Sequence, residues 1–315
     1  MRVKLLSGTA NAALADAVAG HLGIALTPVE IKRFNDGEIY CRVLESVRGN
    51  EIFIIQPTCP PANEHLMELL ILVDALKRAS AKEINAVIPY FGYSRQDRKT
   101  QSREPISGRL VANLLEAAGV HRVITFDLHA GQAQGFFNIP TDNLEALPIF
   151  AEYLLGKELK DVAVVSPDVG GSVRARRLAE VLDASLVMID KRRPAHGEAE
   201  IVHVIGDVKG KTAIIVDDII DSAGTIVKAA DKVRELGATD VYVVATHPLF
   251  SGDALARLQR PSITEVIVTD TIPLRGPHGK VVVLSVSALL AEAIKRIYEA
   301  RPMGTMFKEM YSRLR

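Results

Sequence analysis

The sequence predicts an α/β protein of two similarly built lobes, each a mostly parallel, doubly wound sheet flanked by helices. Two features of the 315-residue chain carry that expectation. Short apolar runs alternate with longer helix-like stretches along the chain, the rhythm of βαβ units. Several runs also lack polar alternation, which suits strands covered by helices on both faces. In the first half the predicted strands are 3–6, 52–55, 86–89 and 123–126; in the second they are 162–165, 186–189, 213–216, 241–245 and 266–268. Helices are expected between them at 64–79, 107–118, 171–182 and 225–236, with a last one at about 288–300. The pattern repeats about a division near 143–150 that has no low-complexity linker. The expected lobes are 1–146 and 147–315, the last ~20 residues being free to pack on the first lobe.

Composition bounds the function before any motif is read. Hydrophobic residues make up 48% and charged residues 24%, a globular balance with ample material for a core. Trp is absent and aromatics reach only 5%, too few for a single-stranded nucleic-acid stacking platform. Thirty-eight basic residues offset thirty-eight acidic ones, so the broad positive footprint of a duplex binder is missing and no nucleic-acid partner is expected. Anions must be met by local clusters. Cys41 and Cys59, the two cysteines, lack metal-type spacing and read as ordinary thiols of a reducing compartment. Residues 1–6 imitate the start of a signal peptide, but Ser7-Gly8-Thr9 ends the apolar stretch too early. With no apolar run of about 18 residues, no membrane partner is expected, and the expected location is cytoplasmic.

The densest local signal is Thr212-Ala213-Ile214-Ile215-Val216-Asp217-Asp218-Ile219-Ile220-Asp221-Ser222-Ala223-Gly224-Thr225. An apolar strand runs into adjacent carboxylates, then a small-residue loop, then a helix. Backbone N–H groups of such a loop, backed by the first helical turn, form an anion site suited to phosphate. Gly224 removes the Cβ that would obstruct close approach, and Ser222 and Thr225 add hydroxyl donors. Asp217 and Asp218 can accept hydrogen bonds from vicinal sugar hydroxyls. A diol beside a phosphate describes a pentose phosphate. The competing structural reading is a strand end followed by an acidic helix cap, where Asp and Ser are favoured in any case. By contrast, Gly206-Asp207-Val208-Lys209-Gly210-Lys211-Thr212 only imitates a Walker A loop: it is one residue short and precedes its strand.

The 217–225 segment resembles the phosphoribosyl diphosphate loop shared by type I phosphoribosyltransferases and ribose-phosphate pyrophosphokinases. Further segments resemble the pyrophosphokinases alone. Arg33-Phe34-Asn35-Asp36-Gly37-Glu38 and Pro89-Tyr90-Phe91-Gly92-Tyr93-Ser94-Arg95-Gln96-Asp97-Arg98 match loops that hold ATP. The resemblance implies that Phe34 packs on adenine while Asp36, Glu38, Arg95, Gln96 and Arg98 fix the nucleotide. Phe126-Asp127-Leu128-His129-Ala130 ends a predicted strand, and Ser166-Pro167-Asp168-Val169-Gly170-Gly171 follows another. By resemblance His129, beside the nucleotide, and Asp168 are Mg²⁺ ligands. Lys191-Arg192-Arg193-Pro194 would begin a flexible catalytic loop in which Lys191 and Arg193 act on the reacting phosphates.

The resemblance thus implies two phosphoribosyltransferase-type lobes and transfer of the β,γ-diphosphate of Mg-ATP to the 1-hydroxyl of ribose 5-phosphate, with AMP leaving. Asp217, Asp218, Asp221, Ser222, Ala223, Gly224 and Thr225 would hold the pentose phosphate. It also implies self-association into a homohexamer built from dimers, with inorganic phosphate as activator and ADP as inhibitor. Ser46, Arg48, Ser80, Gln134, Asp142, Asn143 and Phe307 fall in segments resembling that regulatory site. Pro302 and Gly304 stand where the family often has serines, and Ser222 where many members carry Thr. Two other readings are a type I phosphoribosyltransferase, which leaves the 95–98 and 191–194 segments unused, and a non-catalytic regulatory homologue.

Overall fold

The computed structural model describes residues 3–195, 198–274 and 276–314; the side chains of 191–202 lie outside the description. Two compact units emerge: Met1–Glu145 with Thr271–Pro273 and Ser285–Met303, and Ala146–Asp270 with Leu274–Leu284 and Gly304–Arg315.

In the first unit, strands β1 (Val3–Ser7), β4 (Glu51–Ile55), β5 (Glu83–Ile88), β6 (Arg122–Phe126) and β7 (Thr141–Leu144) form one sheet in that order, parallel throughout. Residues 52–55 and 84–88 are buried along their whole length, which explains their unbroken apolar runs. Helix α2 (Ala62–Arg78) buries Leu66, Leu69, Leu72, Val73 and Leu76, a stripe at three- and four-residue spacing. Helix α3 (Ser107–Ala118) ends at Gly119, whose φ of 116° an L side chain would resist. Helix α1 (Ala12–Leu22) starts where the Asn11 side chain accepts the Leu14 N–H at 3.2 Å.

In the second unit, the sheet order is β10 (Glu198–Ile205), β9 (Ser185–Ala195), β8 (Val162–Ser166), β11 (Thr212–Ile220), β12 (Asp240–Pro248), β13 (Glu265–Thr269) and β14 (Val281–Leu284). All neighbours are parallel except the β9–β10 hairpin. Helices α4 (Leu147–Leu155), α5 (Ser172–Val181), α6 (Gly224–Glu235) and the short α7 (Ala254–Leu258) complete this unit's main elements.

Several elements depart from expectation. An antiparallel hairpin, β2 (Val29–Arg33) with β3 (Ile39–Val43), was not anticipated. Strand β11 runs four residues past 216, so Asp217 and Asp218 lie within the strand, Asp217 opposite Ala245 of β12. Strand β9 continues through Ala195 because β10 pairs with it; the backbone of Lys191, opposite Ile201, is therefore in a hairpin strand where a loop was expected. The last expected helix is α8 (Ser287–Tyr298), and a separate α9 (Met303–Arg313) follows it. Ala300 at φ 53° and Pro302, which disfavours helical geometry in the residue before it, stop the first and force the break. Among the described residues no helix is long and apolar enough to cross a membrane. Cys41 and Cys59 are both thiols; burial pushes the Cys41 thiol up to about 11, with the negative Glu68 adding to the effect.

Candidate active site

In the second unit, β8 leads through α5 to β9 on one side, while β11 leads through α6 to β12 on the other. The direction of winding reverses between β8 and β11, and ligands of open α/β sheets gather where it does. Pairing between the two strands ends at Ile215 opposite Val165. Immediately beyond come Asp168 from one chain segment and Asp217 and Asp218 from the other.

Asp218 is buried and Asp217 partly so. The Asp217 Oδ1 accepts the Asp218 N–H at 2.9 Å. Burial holds the Asp217 carboxyl well above the usual carboxylate range; neighbouring Asp218 adds to that, Arg174 opposes it, and Asp168 raises it further. Arg174, on α5, places Nη1 3.6 Å from Asp218 Oδ1 and 3.9 Å from Asp217 Oδ1. In the preceding turn, Asp168 Oδ1 accepts the Gly171 N–H at 3.0 Å and the Asp168 carbonyl accepts the Ser166 hydroxyl at 2.6 Å. A Cβ on Gly171 would stand 3.1 Å from Ser166 Oγ, so this turn is built close.

The loop after β11 is held from outside. The Ile220 and Asp221 carbonyls accept the N–H groups of Phe250 and Ser251 at 3.0 and 3.1 Å, and Arg257 Nη1 donates to the Ser222 carbonyl at 3.3 Å. The N-cap of α6 is Ala223, at φ 61°, which has no side-chain oxygen with which to cap the helix. Gly224, Thr225 and Ile226 therefore begin a helix whose N-cap residue leaves their amides for another acceptor. A Cβ on Gly224 would meet nothing closer than Ser222 Oγ at 3.8 Å, so space exists over those amides.

In the first unit, Phe34, Asp36 and Glu38 form the tip of the β2–β3 hairpin. The Phe34 N–H donates to the Glu38 carbonyl at 2.8 Å, and Asp36 Oδ1 accepts the Glu38 N–H at 3.0 Å. Phe34 is 55% exposed, its ring edge-on to Tyr40 at 6.0 Å: an aromatic face left uncovered within the unit. The hairpin leaves a groove of about 440 Å³ against α2, lined by Arg33, Glu38, Ile39, Asn63, Glu64 and Met67 among others. Arg95, Gln96 and Arg98 are exposed on the loop after β5. Gln96 Oε1 accepts the Ser107 hydroxyl at 2.6 Å, tying that loop to the start of α3. Tyr93, at φ 66°, donates its hydroxyl to Asn63 in the groove wall. Glu104 Oε2 closes the far end of the loop by accepting from the Thr100 N–H and hydroxyl and the Gln101 N–H, all within 2.9 Å. His129 is exposed just past β6, the neighbour of β5.

The family model for the N-terminal domain of ribose phosphate pyrophosphokinase matches residues 3–119, and that for the phosphoribosyl synthetase-associated domain matches 183–308. The chain is 53% identical to ribose-phosphate pyrophosphokinase of Helicobacter hepaticus over 304 residues, 96% of this chain and 98% of the relative. It is also 53% identical to that of Bacillus caldolyticus over 308 residues, 97% and 98% of the two chains. The chain belongs to the ribose-phosphate pyrophosphokinase family. A crystal structure of phosphoribosylpyrophosphate synthetase from Mycobacterium smegmatis matches with a TM-score of 0.89 at 44% identity, covering 95% of this chain and 99% of that one.

Within this pyrophosphokinase framework, the structure brings Asp168, Asp217 and Asp218 together and sets residues 221–225 in the adjoining loop. Arg174 and Arg257, which contact that assembly, escaped the sequence reading. Arg174 sits in a helix with Arg176 and Arg177 and looks like part of a solvated basic face. The side chains of Lys191 and Arg193 lie outside the described residues. Among the described residues no group of three or more His, Cys, Asp and Glu converges on a metal site. As donors, the Asp168 carboxylate suits a hard divalent cation, and the His129 imidazole is a less usual partner for Mg²⁺.

The regulatory candidates fall in several places. The Ser80 carbonyl, at a residue with φ 63°, accepts the Gly49 N–H at 2.9 Å and so joins the segment carrying Ser46 and Arg48. Asp142 of β7 pairs with Arg122 at 2.5 Å, while Asn143 Oδ1 accepts the Leu128 N–H at 3.0 Å. Gln134 Nε2 donates to the Gly131 carbonyl at 3.0 Å within the short 3-10 helix Gly131–Phe136. Phe307, half-buried, is on α9.

Proposed function

We propose that the chain is a working ribose-phosphate diphosphokinase, transferring the β,γ-diphosphate of ATP to the 1-hydroxyl of ribose 5-phosphate. The supporting observation is the pairing of buried acceptors with a helix start whose N-cap residue has no capping side chain: Asp217 and Asp218 lie next to a loop whose N-cap is Ala223. Asp217 and Asp218 accept from the 2- and 3-hydroxyls, while residues 221–225 donate to the 5-phosphate. So held, the 1-hydroxyl oxygen attacks the β-phosphorus. The bond between that phosphorus and the oxygen of the α-phosphate breaks, AMP leaves, and the hydroxyl proton passes to solvent.

Phosphoryl-type transfer needs in-line positioning and charge stabilisation more than covalent help. Lys191 and Arg193 are assigned the second task, at the oxygens where charge builds. Phe34 offers its exposed face to adenine, and Asp36, Glu38, Arg95, Gln96 and Arg98 fix the nucleotide. Asp168 and His129 would hold Mg²⁺, which when bound neutralises phosphate charge.

Homohexamers built from dimers, phosphate activation and ADP inhibition at Ser46, Arg48, Ser80, Gln134, Asp142, Asn143 and Phe307 complete the reading. A coupled assay for AMP, at varied phosphate and ADP, tests it. AMP should form only when ribose 5-phosphate is present and without any nucleobase; AMP release that needs a base would instead mark a phosphoribosyltransferase.

A further inference from the structure

Arg174 is a member of the carboxylate cluster without a task in the transfer. Its guanidinium Nη1 lies 3.6 Å from Asp218 Oδ1 and 3.9 Å from Asp217 Oδ1. Both distances exceed those of a close charge-assisted hydrogen bond, so at these atoms the contact is an electrostatic brace. The brace is well fixed. Arg174 is 21% exposed, and α5 buries Ala175, Leu178 and Ala179 on the flanking face. The same helix begins one residue after Gly171, whose N–H holds Asp168. One rigid element therefore governs all three carboxylates.

We infer that Arg174 is a positioning and specificity-determining residue, bridging Asp217 and Asp218 so that they present one fixed pair of acceptors to a vicinal cis-diol. Adjacent carboxylates repel, and without a cation between them they would splay or draw in solvent. Splayed acceptors no longer match two hydroxyls on neighbouring carbons of one ring. The guanidinium therefore selects for the ribo diol over a 2-deoxy sugar while leaving ATP recognition alone. This inference rests on the assignment of Asp217 and Asp218 to the pentose phosphate.

The test uses Arg174→Met, Arg174→Lys and Asp218→Asn. KM is measured for both substrates, and ribose 5-phosphate Kd by calorimetry with Mg²⁺ and α,β-methylene-ATP, which cannot transfer. Arg174→Met should raise KM and Kd for ribose 5-phosphate about tenfold, with ATP KM within about twofold. Its preference for ribose 5-phosphate over 2-deoxyribose 5-phosphate should shrink. Arg174→Lys, a point charge on a flexible stem, should recover part of the loss and serves if the Met variant does not fold. Ribose 5-phosphate binding unchanged in Arg174→Met, or a loss shared equally by ATP together with a lowered Tm, overturns the inference. Asp218→Asn separates the two levels. If it weakens ribose 5-phosphate binding while Arg174→Met does not, the role of Arg174 alone is wrong; if it leaves binding intact, the sugar site itself is wrong and the inference falls with it.

Discussion

In the first unit, the winding reversal between β1 and β4 is filled by the protein itself. Leu26 bridges β1 on one side while β4 and α2 continue to the other, the same arrangement that surrounds β8 and β11 in the second unit. Where β11 carries Asp217, β4 is followed by Gln56, whose Oε1 accepts the Ala10 N–H at 3.0 Å. Glu68, buried on α2, accepts from the Thr9 N–H and hydroxyl at 2.7 Å and from Gln56 Nε2 at 2.8 Å. Even Gly8 has no room: a Cβ there would stand 2.2 Å from Gln56 Oε1. In the second unit, the seventh residue of the corresponding helix is Ala230, too short to reach any loop, and Gly224 faces space. One architecture has thus been used twice, once closed by its own side chains and once with Gly224 facing open space.

The hairpins differ in the same way, an aromatic and carboxylates on one, basic residues on the other. Substitutions can break that contrast, and the largest effect is expected at Lys191. Lys191→Ala should lower kcat about a thousandfold with ATP KM changed by no more than about threefold. Phe34→Ala, on the other hairpin, should do the reverse, raising ATP KM and sparing kcat. Steady-state kinetics on the two variants decides; intact turnover in Lys191→Ala would refute the hairpin's role.

Next in size is the closed switch. Glu68→Ala strands the Thr9 and Gln56 donors in the interior and should cost about 2–4 kcal/mol of stability. Denaturant titration should show an earlier midpoint, and activity per folded molecule should hold. Gly224→Ala probes the open switch, and the expected pattern inverts. The added Cβ meets nothing closer than 3.8 Å, so the thermal midpoint should stay put. Ribose 5-phosphate KM should rise roughly tenfold, because the methyl intrudes on close backbone approach. A destabilised protein with normal KM would mean that the glycine serves the fold alone.

The smallest effect concerns charge. Because burial raises the Asp217 pKa, the folded state holds that proton more tightly than the unfolded chain does. Stability from this residue is present below the ordinary carboxylate range and is lost as pH rises through the raised value. Asp217→Asn should therefore stabilise the ligand-free protein at neutral pH by about 1 kcal/mol, or roughly 2–4 °C, while impairing turnover. Thermal scans across pH should show the gap closing in acid. A gap that widened in acid would reverse the sign of the argument.

How much of this was legible follows from what each feature needs. Fully buried strands such as 52–55 announce themselves, because both faces demand apolar side chains. The strand, loop and helix around 217–225 were legible because carboxylates, hydroxyls and glycine stand there at adjacent positions. Hairpins hid: β2 and β3 alternate over only five residues each, and β9 extends past Ile189 because β10 is there to pair. Gln56 and Glu68 form no motif, being twelve residues apart and joined by a strand–helix turn. Arg174 forms no motif for the same reason, since its partners lie over forty residues away.

The contrast between a closed and an open switch is tested most directly by counting ribose 5-phosphate sites. Calorimetry with Mg²⁺ and α,β-methylene-ATP should give one site per chain, abolished by Asp218→Asn and unaltered in kind by Glu68→Ala. Two sites per chain, or one that survives Asp218→Asn, would contradict the division of labour between the units.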